Sequence, residues 1–128
     1  MKFFRDTDRA PNEVVERVTR ALMDRKFGVL HIHDLKKTLN GKGVPFEPEC
    51  QVLEVCNPQQ AAKVLADDID LNMALPCRIS VYRKDGRTRI GMISPKAMLQ
   101  QLSDLPSLQQ VADEVESVLK EAIEEAAG

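Results

Sequence analysis

Tryptophan is absent from this sequence, and one Tyr and four Phe are its only aromatic residues, so a core has to be built from aliphatic side chains. Long apolar runs are also missing. No stretch approaches the roughly 18 consecutive apolar residues that a membrane-spanning helix needs. The opening residues, MKFFRDTDRAPNE, return to charge directly after Phe3 and Phe4 and lack the apolar segment of a signal peptide. Nor is there an excess of charge of one sign. With 18 basic against 20 acidic residues, a formal charge of −2 gives no general attraction for phosphate backbones or anionic lipid. Neither nucleic acid nor membrane is therefore an expected partner. Cysteine is scarce, and an odd count of three suits reduced thiols and a cytoplasmic location better than a disulfide framework. The sequence contains no GxGxxG, Walker-type GxxxxGK[ST], HExxH or CxxC motif, which removes the usual sequence support for nucleotide, zinc-protease or dithiol chemistry.

What is present is a chain of 128 residues with 43% hydrophobic content, enough for a single domain spanning 1–128. Residues 2 to 7 read as a short strand. Pro11 suits the first turn of a helix, where no amide donor is needed, and Val14, Val18, Ala21 and Leu22 follow at helical spacing. Gly28 is the expected left-handed residue after that helix. Val29 to Asp34 alternates as a second strand, placing Leu30 and Ile32 on one face and His31 and His33 on the other. A short helix is expected from Leu35 to Leu39, and the glycines and prolines that follow break it. Gln51 to Cys56 forms a third strand, Asn57-Pro58 opens a helix through Leu65, and a loop then runs to Pro76.

Cys77 to Arg83 is a fourth strand, and Asp85-Gly86 marks a tight hairpin because both residues accept positive φ angles. Pairing Lys84 with Arg87 sets Val81 opposite Ile90 and Ile79 opposite Met92 on one face. The other face receives Tyr82 opposite Arg89 and Ser80 opposite Gly91. Ser94-Pro95 caps a short helix, and Pro106 starts a long one in which Leu108, Val111, Ala112, Val115, Val118, Leu119, Ala122 and Ile123 make an apolar stripe. This order of elements predicts an α+β fold, a largely antiparallel sheet with helices packed on one side.

Two groups of residues carry a family resemblance. One is Cys56-Asn57-Pro58 with Ala61, then Leu75-Pro76-Cys77-Arg78 leading to Val81-Tyr82, the Asp85-Gly86 turn and Pro95. The other is Lys26-Phe27-Gly28-Val29 leading to His33-Asp34-Leu35. Together they resemble the domain of unknown function 302 family of uncharacterised bacterial and archaeal proteins, over nearly the whole chain. The resemblance implies a TATA-binding-protein-like architecture, with the long C-terminal helix across a curved antiparallel sheet, and it implies a homodimer. It brings no reaction, and a fold alone assigns none.

Candidate chemistry is confined to a few side chains. Cys56, at the start of a helix, would see the positive end of the helix dipole and free amide donors, both of which lower a thiol pKa. With Cys77 it could then serve redox, sulfur or metal handling; the alternative is that both are small buried hydrophobes. His31 and His33 share a strand face and could offer two imidazoles to a metal, or simply be solvated. Arg78 and Arg89 lie on the hairpin among other cations, where an acidic ligand could bind. The acidic C-terminal helix of a second copy is another partner for that basic hairpin; solvated edge charges are the plainer reading. The leading expectation is a small dimeric ligand- or partner-binding domain with its site at Cys56, Asn57, Cys77, Arg78 and Arg89. A thiol-dependent protein using Cys56 and Cys77 is the alternative. No catalytic residue and no cofactor is assigned by the sequence.

Overall fold

The computed structural model describes all of residues 1–128. Five strands, β1 (Lys2–Thr7), β2 (Gly28–Asp34), β3 (Cys50–Cys56), β4 (Cys77–Lys84) and β5 (Arg87–Ile93), form one sheet in the order β1-β5-β4-β3-β2. Every neighbouring pair is antiparallel. Five α-helices accompany it: α1 (Pro11–Met23), α2 (Leu35–Gly41), α3 (Pro58–Asp67), α4 (Pro95–Leu102) and α5 (Pro106–Ala127). The fold is thus the α+β class expected, with a long C-terminal helix lying over the sheet.

One face of the sheet is closed and one is open, and strand alternation decides which side chains go where. Leu53, Val55, Ile79, Val81, Ile90 and Met92 point to the closed face and meet Val14, Val18 and Leu22 of α1 and Val115, Leu119 and Ile123 of α5 in the main core. The positions on α5 repeat every three or four residues, so one stripe of a 22-residue helix is buried along its length. Arg17 fixes the end of that helix by donating to the carbonyls of Glu125, Ala126 and Gly128 at 2.8–3.0 Å. A second, smaller cluster of Val64, Leu71, Leu99, Leu108 and Ala112 joins α3, α4 and the start of α5 beyond one end of the sheet.

The hairpin has the expected register: Lys84 pairs with Arg87, Val81 with Ile90, Tyr82 with Arg89 and Ser80 with Gly91. Its turn places Asp85 at φ 52° and Gly86 at φ 77°, as a two-residue turn of this type requires. Three local features differ from the sequence reading. The left-handed residue after α1 is Lys26, at φ 66°, and Gly28 instead begins β2. The segment before Pro76 is a 3-10 helix, Ile69–Ala74, opened by the Asp68 carboxylate, which accepts from the Asp70 amide. Only Leu71 of that helix is buried, so it left no periodic signature. Finally, β2 carries a bulge between Val29 and His31. The extra residue, Leu30, is 60% exposed and does not share a core face with Ile32. An edge strand has one neighbour only, so an added residue disturbs a single ladder.

Candidate ligand-binding groove

Across the open face the five strands line up their outward residues in rows. Phe4, Gly91, Ser80, Val52 and His33 form one row, each paired with the next. Asp6, Arg89, Tyr82 and Cys50 form the row on one side of it. On the other side Lys2 pairs with Ile93, and Arg78 pairs with Glu54. No α-helix lies flat on this face, but the 3-10 helix and α4 rise at one end of it and contribute Met73, Leu75 and Met98 as a wall. Between wall and sheet is a groove of about 510 Å³, within the roughly 300–1,000 Å³ typical of small-molecule sites.

The charges around the groove are unequal. Lys2 and Arg78 line it, together with the polar groups of Ser80 and Tyr82, and no carboxylate does. Neither Lys2 nor Arg78 takes part in any of the nine ion pairs of the molecule. Arg89 is in a different position. Its guanidinium donates to both carboxylate oxygens of Asp6, at 2.7 and 3.1 Å, and lies 3.9 Å from the centre of the Phe4 ring. The hydrogen bond from Arg89 holds the Asp6 carboxyl below its ordinary range. Arg89 therefore spends its charge inside the chain and fixes Phe4 in the groove floor. Elsewhere on the hairpin, Arg87 pairs with Asp8 at 2.9 Å and Arg83 donates to the Gly86 carbonyl at 2.9 Å. On α5, Glu121 and Glu125 are held by Arg25, Glu124 by Arg5 and Asp113 by Lys96. Arg87 and Arg89 on the hairpin and four carboxylates of α5 thus have ionic partners within one chain, whereas Arg78 has none.

Of the residues singled out from the sequence, Cys77 and Arg78 line the groove, whereas Cys56, Asn57 and Arg89 do not. Cys77 faces the core side of β4 beside Val55, and burial pushes its thiol up to about 11, with the neighbouring Cys56 adding to the effect. Burial also raises the Cys56 thiol, opposite to the direction expected for a helix-activated cysteine. The helix start is also closed to the thiol. Asn57 is the cap of α3, and its side-chain oxygen accepts from the amides of Gln59 and Gln60 at 3.1 and 3.2 Å, taking up donors that a thiolate would need. Asn57→Ala should cost about 1 kcal/mol of stability, read as a lower urea midpoint.

His31 and His33 do lie together, with ring centres 4.4 Å apart and edge-on. His33 sits 3.2 Å from the Glu54 carboxylate, yet no group of three or more His, Cys, Asp or Glu side chains is arranged to hold a metal ion. The sequence reading passed over Lys2, Phe4, Val52, Met73 and Met98. Alternation alone puts Lys2 and Phe4 on one face, but which strand stands beside them is a non-local fact.

The model of the domain of unknown function DUF302 matches residues 5–126. The chain belongs to the DUF302 family. A solved DUF302 structure, that of an uncharacterised conserved protein from Bacillus stearothermophilus, is 34% identical, with a TM-score of 0.92 over 98% of this chain and 97% of that one. No curated protein matches the chain. The DUF302 fold here includes no helix long and apolar enough to cross a membrane.

Proposed function

We propose that this DUF302 domain is a noncatalytic binding module, a cytoplasmic homodimer, that takes a small acidic ligand on its open sheet face. The observation that carries this reading is the groove itself: it is lined by no carboxylate and by two cations, Lys2 and Arg78, that make no ion pair, the Glu54 carboxylate across from Arg78 being engaged by His33. A cation facing an apolar-walled cleft attracts an anion more strongly than one on an open surface, because less water screens it. The raised thiols of Cys56 and Cys77 favour binding over nucleophilic chemistry, since the thiolate is the reactive form. Self-association is supported by the outer edge of β2. Apart from its bulge, the sequence GVLHIHD has no Lys or Pro to block strand pairing, and Leu30 and Ile32 stand 60% and 40% exposed.

The test is titration of a panel of small organic acids against the parent protein and Arg78→Ala. Arg78 is exposed, so the variant should keep the parent's circular dichroism and lose about tenfold in affinity, as expected for a charge-assisted hydrogen bond. Equal affinity in the two proteins would sink the assignment.

A further inference from the structure

The groove offers more than positive charge. Of its 18 lining residues 12 are apolar, and they are distributed above and below the cations. Phe4 and Val52 lie in the floor, and Met73 and Met98 form part of the opposing wall. From these surroundings we infer that the ligand is an amphiphilic monocarboxylate, an unbranched organic acid whose head meets Lys2 and Arg78 and whose hydrocarbon body lies against Phe4, Val52 and the methionines. This rests on the acidic-ligand reading above and narrows it.

Three features separate such a ligand from a phosphate. The first is spacing: β5 lies between the strands that carry Lys2 and Arg78, which sets their backbones roughly 10 Å apart. Ile93, which also lines the groove, lies between them, so the two cations are not set side by side on a polar floor as a compact phosphate site requires. The second is the lack of an amide cradle. Phosphate sites at helix starts depend on free backbone N–H groups. At the start of α4 Pro95 has none, and the Ala97 amide donates to the Ser94 hydroxyl at 3.1 Å. The third is the wall. Met73 is 75% exposed, and an unbranched thioether side chain can refit itself around a flexible chain where a rigid wall would select one shape.

Calorimetric titration with hexanoate, octanoate and decanoate, beside octan-1-ol and inorganic phosphate, tests the inference. Affinity should rise about two- to fourfold per added methylene. Octanoate should bind at least tenfold more tightly than octan-1-ol, and phosphate should not bind at a millimolar concentration. Lys2→Gln, at an exposed position, should weaken octanoate several-fold while leaving octan-1-ol unchanged. If phosphate binds through Arg78 and chain length has no effect, the amphiphile is overturned and the acidic-ligand reading stands. If octan-1-ol binds as well as octanoate, the carboxylate head is overturned. If no acid of any kind binds, both readings fall together.

Discussion

Gly91→Ala should destabilise the domain by about 2–3 kcal/mol, although adding a methyl group to a strand glycine ordinarily stabilises it. The usual gain, about 0.5–1 kcal/mol, comes from restricting the unfolded chain. Here packing opposes it. A Cβ on Gly91 would lie 2.8 Å from the Phe4 Cβ and 2.9 Å from the Phe3 carbonyl oxygen, closer than nonbonded atoms approach. The obstruction is chiefly backbone and Cβ, so no rotamer change at Phe4 relieves it, and β1 has to move away from β5. Truncating Phe4 to Ala in the same protein should not restore stability, because the Phe4 Cβ and the Phe3 oxygen both persist. The measurement is urea denaturation, with a lower midpoint at unchanged slope in the variant. Equal midpoints would show that β1 sits less tightly on β5 than these distances imply. A second effect follows at the groove: with β1 displaced, Phe4 and Lys2 shift together, and binding of an acid should weaken in the portion of the protein that remains folded.

Gly91 also marks where sequence reasoning stops. The hairpin register placed Ser80 opposite Gly91 and left the other side of Gly91 without a neighbour. What approaches is Phe4 of the first strand, and nothing in the local pattern pairs residue 4 with residue 91. The features that could be read early were local ones: the Asp85-Gly86 turn, the proline starts of α1, α3, α4 and α5, and the apolar stripe of α5. Sheet order was not local. Lys2 and Arg78 share one groove only because β5 pairs with β1 as well as with β4, and the methionine wall depends on a 3-10 helix with a single buried residue. Arg78 was legible as a candidate because it is one of several cations gathered on the hairpin strands. Arg89 looked equivalent until Asp6 was placed beside it. Cys56 shows a different failure. The helix-opening signal was present, because Asn before Pro is a strong helix-opening pair, but the burial that raises the thiol depends on what packs around residue 56, which no local pattern gives.

Cys77 should make the domain lose about 2–3 kcal/mol of stability between pH 9 and pH 11, a loss that Cys77→Ala should abolish. The folded thiol is raised from 9.0 to about 11, first by burial and then by Cys56. In the unfolded chain the same group ionises near its ordinary value. Between the two values the unfolded state therefore holds fewer protons than the folded state, and stability must fall as pH rises. Below pH 9 both states are protonated and the contribution is fully present; above about 11 it is gone. A tenfold difference in acid strength between the two states is worth about 1.4 kcal/mol, which sets the expected size. The informative quantity is the difference between parent and variant in urea midpoints taken at pH 8, 9, 10 and 11. Parallel curves would mean that Cys77 ionises in the folded protein as readily as in the unfolded one. That outcome would matter beyond stability. A Cys77 thiol that ionises normally, at the groove wall beside Arg78, would be available to react with whatever the groove holds. One that keeps its proton to about pH 11 would leave the proposed ligand only charge and apolar contact to bind by.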